Sequence, residues 1–171
     1  MSAASLFDAA GVPSSTPAPA ASQPATSHSV ELRVVGDCAA QGSKVAFVNP
    51  STGRPLVREM GGAKLKTWRT AVAEAAAEYC ELAPMDGALW LVVTFRFAMP
   101  ASRKRAARQA GIAFKSTAPD LDKLVRSTGD ALKTSGLVRD DARFARIHAT
   151  KVEVVEGWLG AEISIHRLAA P

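Results

Sequence analysis

The sequence predicts an α+β domain, a mixed β-sheet with two main helices packed on it, and three observations carry that prediction. Near both ends of the folded part stand period-two stretches rich in β-branched residues, SVELRVV from Ser29 and AEISIHR from Ala161. Two segments, one after Gly62 and one after Asp120, repeat apolar residues every three or four positions, the helical period. Between them ALWLVVTFRF, bounded by Gly87 and Pro100, is a run of β-branched and aromatic residues that suits a central strand. The resulting order, strand, hairpin, helix, strand, loop, helix, two strands, puts the helices on one side of the sheet.

Each element has a local reason. Residues 1–28 are rich in Ala, Ser, Pro and Thr and lack a basic stretch leading into an apolar one, so they read as a disordered tail rather than a signal peptide. The folded domain is expected over 29–170. After the first strand, SKVAF and RPLVREM flank Asn49-Pro50-Ser51-Thr52-Gly53, a set of turn formers, and predict a hairpin carrying Lys44, Arg54 and Arg58. Leu65, Trp68, Val72, Ala75, Ala76, Tyr79 and Leu82 predict one helix face, stopped by Pro84 and Gly87. The segment from Arg103 to Lys115 has no clear hydrophobic period and reads as a flexible basic loop with one helical turn at most. Leu121, Leu124, Val125, Thr128, Ala131 and Leu132 predict a second helix, with Asp120 as its N-cap. Residues 145–156 and 157–168, with Gly157 between the strand runs, predict a terminal hairpin.

Composition bounds the function. A hydrophobic content of 47% excludes global disorder, and 171 residues hold one domain with a core of its own. No apolar run approaches the roughly 20 residues needed to span a bilayer, so a cytoplasmic protein without a membrane partner is expected. Cys38 and Cys80 lack the spacing of a zinc or redox motif and are read as reduced. Lys and Arg number 21 against 16 Asp and Glu, a net charge of +5, which favours a polyanionic partner such as nucleic acid.

The chemistry concentrates between Ala118 and Phe144. Asp120 and Asp122 lie where a loop meets a helix, and Asp140-Asp141 follow one helix and one turn later. Hard cations such as Mg²⁺ take oxygen ligands, and a metal held by two or three carboxylates activates water and neutralises charge on a phosphate. Four-residue spacing sets Asp122, Arg126 and Asp130 on one polar helix face, where Arg126 could grip a phosphate. Each feature also has an ordinary use: a cap, surface i,i+4 ion pairs, a turn.

The order of these residues is more specific than their types. Asp120-Leu121-Asp122-Lys123-Leu124, Arg126, Asp130-Ala131-Leu132, Gly136 and Asp140-Asp141 together resemble the signature of the RusA family of Holliday-junction resolvases. That signature runs Pro-Asp-x-Asp-Asn/Lys-Leu, a basic residue, Asp-Ala-Leu and Asp-Asp. The match is close over 119–142, and the preceding helix and strand agree in order and length. The resemblance implies an α+β homodimer that resolves four-way junctions and related branched DNA in recombination and repair, with Mg²⁺, or Mn²⁺ in its place, as cofactor. By motif position it implies Asp120, Asp122 and Asp141 as catalytic carboxylates and metal ligands, with Asp140 a further ligand. Arg126 stands where the family has lysine; the charge is kept, but a guanidinium does not donate its proton at neutral pH, so phosphate positioning is the role expected. Asp130 is expected to support the helix face.

The basic segment, Arg103, Lys104, Arg105, Arg108 and Lys115, is expected to contact the DNA backbone together with Lys123, Lys44 and Arg54. Lys64, Lys66 and Arg69 form a second basic region, and His148 is read as structural rather than as a general base. Two other functions fit fewer residues. A phosphoryl hydrolase with Asp120 as nucleophile lacks the downstream Thr and Lys elements; a non-catalytic junction- or single-strand-binding module would use the acidic residues only as caps and pairs.

Overall fold

The computed structural model of the chain describes residues 29–42, 44–59 and 62–169. The tail expected over 1–28 lies outside them. Among the described residues, seven strands and three α-helices follow one another as β1 (Ser29–Val35), β2 (Lys44–Val48), β3 (Pro55–Glu59), α1 (Gly62–Ala77), β4 (Leu89–Ala98), α2 (Arg105–Gln109), β5 (Ile112–Phe114), α3 (Leu121–Thr134), β6 (Phe144–Val154) and β7 (Gly160–Arg167). The α+β class and the mixed sheet agree with the sequence reading. Of the three helices, α2 is a five-residue segment and the other two cover the sheet.

Five strands form the main sheet in the order β1-β7-β4-β6-β5, while β2 and β3 pair as a separate antiparallel hairpin around the Asn49–Gly53 turn. In the main sheet β4 runs antiparallel to β7 and parallel to β6. The run that reads as most strand-like is therefore the central strand. Alternate residues of three strands, Val30, Leu32 and Val34, Leu89, Leu91, Val93 and Phe95, and Ala161, Ile163 and Ile165, are buried in one cluster with Trp68 and Val72 of α1 and Leu124 and Leu132 of α3. Burying each such large side chain contributes about 1.5–3 kcal/mol. The helices thus cover one face, and the period-two pattern of β1 and β7 follows from that one-sided burial.

Four expectations need correction. First, β6 and β7 do not pair: β4 lies between them, so the last two strands share a partner instead of forming a hairpin. Adjacency in sequence favoured the hairpin, but β4 pairs along its length with β6 on one edge and β7 on the other and so separates them. Second, the basic segment is not all loop. It holds α2 and the edge strand β5, whose Ile112, Ala113 and Phe114 pair with Val154, Glu153 and Val152; three residues are too few to show a period. Third, α1 ends at Ala77, well before Pro84, because the chain tightens into i→i−3 bonds, Tyr79 N–H to Ala76 O at 3.0 Å and Leu82 N–H to Tyr79 O at 3.0 Å. Leu82, placed on the buried face by spacing, is 41% exposed. Fourth, Asp130 does not share the Asp122 side of α3. A four-residue step advances about 400°, so two steps drift about 80° round the helix, and Asp130 reaches α1, where its Oδ2 accepts from Arg69 at 2.8 Å.

Candidate active site

Helix α3 is the base of the site. Its buried side, Leu124, Ser127, Thr128, Ala131 and Leu132, faces the core, and two polar contacts fix its rotation. Trp68 Nε1 donates to Thr128 Oγ1 at 3.3 Å, and Ser127 Oγ donates to Ala39 O at 2.6 Å. With that side held, Asp122, Val125 and Arg126 turn outward, while Gly129 is buried beneath the loop that follows.

The loop after α3 returns the second acidic pair to the same side. Gly136, at φ +81°, takes the left-handed conformation that ends the helical path. Leu137 and Val138 are buried, and Met85 brackets them: its N–H donates to Leu137 O at 2.7 Å and its carbonyl accepts from Arg139 N–H at 3.0 Å. Asp141 then packs against Gly129, where a Cβ would lie 3.8 Å from the Asp141 Cβ and 3.6 Å from the Phe144 ring.

The result is an open cleft of about 660 Å³ lined by Leu121, Asp122, Val125, Arg126, Gly129, Asp141, Phe144 and Ile147. Three residues singled out by the sequence, Asp122, Arg126 and Asp141, share this cleft. Arg126 has no ion pair among the described residues. The apolar walls, Val125, Phe144 and Ile147, were not singled out by sequence reasoning; Ile147 is 49% exposed at a position where β6 has no outer neighbour.

Asp120 and Asp140 stand differently. Asp120 occupies the N-cap position of α3 without a side-chain cap bond and accepts from Lys123 Nζ at 2.8 Å. The Lys123 ammonium holds the Asp120 carboxyl below the usual carboxylate range, with Lys151 adding a smaller pull. Asp140 accepts from Lys133 Nζ at 2.6 Å and from Ala142 N–H at 3.0 Å, which lower its pKa to about 2. Lys133 also lies 3.5 Å from Asp141 Oδ1. Sequence reasoning passed over Lys133, although its seven-residue spacing from Arg126 returns to the same side of α3 after two turns.

Among the described residues, no group of three or more His, Cys, Asp or Glu side chains is arranged to hold a metal ion. The donor chemistry fits one nonetheless: two carboxylates, Asp122 and Asp141, line one open cleft, and Mg²⁺ is commonly bound by one or two carboxylates and several waters.

The basic residues divide into two sets. Arg103 and Lys115 point at the buried Glu153, Nε to Oε2 at 2.5 Å and Nζ to Oε1 at 3.3 Å. Lys104, Arg105 and Arg108 are exposed on or beside α2 and carry no ion pair among the described residues. Arg54 is exposed at the end of the hairpin turn, and Lys44 begins β2, its side chain outside the described set. His148 is exposed on β6 next to Ile147, and alternation turns it to the other face of the strand. Cys38 is a free thiol whose S–H donates to Gly160 O at 3.0 Å; burial raises its pKa to about 12, which makes it unreactive. Among the described residues no helix is long and apolar enough to cross a membrane.

Two carboxylates and a guanidinium in one cleft, on an α+β scaffold, are compatible with chemistry on phosphate esters. Comparison with known families narrows it. Residues 48–166 match the model of the family described as endodeoxyribonuclease RusA. The match takes in both sides of the cleft and more than half of the chain, and the chain belongs to the RusA endodeoxyribonuclease family. No curated protein matches the chain.

Proposed function

We propose that the protein is a Mg²⁺-dependent endonuclease, acting as a homodimer, that resolves four-way DNA junctions and related branched DNA by paired phosphodiester hydrolysis. The observation that supports this most is the convergence of Asp122, Asp141 and Arg126 on one cleft in a chain of this family.

Asp122 and Asp141 would hold the metal ion, with Asp120 and Asp140 available beside them once their lysines let go. A bound Mg²⁺ supplies Lewis acidity and a more acidic water. The protein's own contribution is positioning. Arg126 can take two phosphate oxygens in one plane, and as a permanent cation it offsets charge that builds on the scissile phosphate. Leu121, Val125, Phe144 and Ile147 wall the cleft with apolar atoms. Lys104, Arg105, Arg108, Lys123 and Arg54 would follow the DNA backbone outside it, with Arg103, Lys115 and Lys44 in support. A homodimer matches the approximate two-fold symmetry of a junction and presents one cleft to each of two opposed strands.

The test is cleavage of a labelled synthetic four-way junction with and without Mg²⁺. Paired nicks at symmetric positions are expected from the wild-type protein, and binding without nicking from Asp122→Asn. Full Mg²⁺-dependent cleavage by Asp122→Asn would overturn the assignment. Binding without nicking by the wild-type protein would favour a non-catalytic junction-binding module.

A further inference from the structure

Two residues of β6 that the mechanism leaves unused, Lys151 and Glu153, face the segment that leads into Asp120. Lys151 Nζ donates to two main-chain carbonyls of that segment, Thr117 O at 2.8 Å and Pro119 O at 2.6 Å. Its own carbonyl accepts from Lys115 N–H at 3.0 Å. Glu153, two positions on, has a side chain 1% exposed and takes Lys115 Nζ at 3.3 Å and Arg103 Nε at 2.5 Å. Lys115 Nζ also donates to Thr117 Oγ1 at 2.9 Å.

We infer that Lys151 and Glu153 are positioning residues that grip residues 115–119 from β6 and thereby set where Asp120 and the start of α3 stand. The argument is one of constraint. Residues 115–120 belong to no helix or strand; backbone bonds reach only their two ends, Lys115 N–H to Lys151 O at 3.0 Å and Leu124 N–H to Asp120 O at 3.1 Å, and leave 116–119 without a ladder. A lysine that spends its ammonium on two carbonyls of one irregular segment orders that segment, because each carbonyl would otherwise turn to water. Glu153 fixes the other end: a buried carboxylate requires its cations, so Arg103 and Lys115 are held in place as firmly as Glu153 is buried. The same grip joins the basic segment to the cleft, since Arg103 and Lys115 enclose α2 and β5 and the chain runs directly on to Asp120.

This inference rests on Asp120 serving the proposed nuclease, and the experiment separates the two claims. Lys151→Met keeps the aliphatic stem and removes the donors; Lys151→Arg restores two donors. Hydrogen exchange of the amides from 115 to 124 should be faster in Lys151→Met than in wild type and return toward wild type in Lys151→Arg, with α1 unchanged in both. In junction cleavage with Mg²⁺, Lys151→Met should lower kcat about ten- to a hundredfold, the scale of a misplaced catalytic group, while junction affinity measured without metal stays put. Unchanged exchange in Lys151→Met, or a loss in affinity with kcat intact, would overturn the assignment. If the wild-type protein cuts no junction, the exchange result still decides the positioning role and only the nuclease reading falls. Should Lys151→Met not fold, Glu153→Gln, isosteric and uncharged, is read by the same exchange measurement, with faster exchange over 115–120 expected and no change contrary.

Discussion

Asp120 and Asp122 stand two residues apart at the start of α3, yet their surroundings differ: Asp122 lines the cleft, while Asp120 is held by Lys123. Lys123 therefore competes with any cation for the Asp120 carboxylate. At saturating DNA, Lys123→Met is expected to reach half-maximal cleavage at lower Mg²⁺ than wild type, by a few-fold, the scale of one exposed ion pair; an unchanged or higher requirement in a metal titration would show that Lys123 does not compete. Glu153 gives a pH prediction of definite sign. Arg103, and then Lys115, hold its carboxyl below the ordinary range against the burial that would raise it. A depressed carboxyl contributes stability above its unfolded pKa and loses it as pH falls through the folded one. Thermal melts should therefore show wild type above Glu153→Gln at pH 7, with the gap closing below about pH 4, the ordinary carboxylate range. A gap that widens on acidification would contradict the ion-pair account. The carboxylate order of the site was legible in the sequence because it is a local string. The lysines that occupy Asp120 and Asp140 were legible only in part, since Lys123 lies three residues from its partner and Lys133 reaches Asp140 across the turn.

Helix α3 shows at the scale of an element what the sequence holds and omits. Its length, its N-cap position and its buried stripe follow from the spacing of Leu124, Ala131 and Leu132. Leu132→Ala is expected to cost about 2–5 kcal/mol in chemical denaturation, because it removes a fully buried side chain between helix and sheet. What the spacing left out was rotation over distance: Asp122 and Arg126 share the cleft, but Asp130 has turned to Arg69. The strands behave alike. All but the three-residue β5 were visible as patterns, whereas the placement of β4 between β6 and β7 depends on pairing between distant segments, which no local window contains. Gly160, at the start of β7, has φ +139° and leaves room for the neighbouring strand; a Cβ there would lie 1.9 Å from Val34 O. Gly160→Ala should thus open the β1–β7 edge and lower the melting temperature more than Gly157→Ala, whose nearest neighbour is a movable Arg96 side-chain atom at 3.8 Å.

For the whole molecule the charges matter more than any one ion pair. The net charge of +5 is not spread evenly in use: Arg103 and Lys115 are taken up by Glu153, while Lys104, Arg105 and Arg108 stay exposed on or beside α2. If these three meet phosphates, replacing all of them by Ala should lower the slope of log affinity against log salt by about 2–3, near 0.9 for each phosphate no longer neutralised. The same replacement in Arg103 and Lys115 should act on stability instead, and a binding titration at several salt concentrations separates the two. The basic segment was legible as charge, but the pairing of Arg103 and Lys115 with Glu153 was not, because a buried acceptor thirty-eight positions downstream of Lys115 is invisible in composition. The strand order has a further consequence, for synthesis. Because β7 is inserted between β1 and β4, the sheet stays split into separate pieces until the chain beyond Gly160 has left the ribosome. A chain halted after Glu156 would carry the complete acidic motif and still lack the strand that joins its halves, so a stalled or truncated product is expected to be degraded rather than left free to cut DNA.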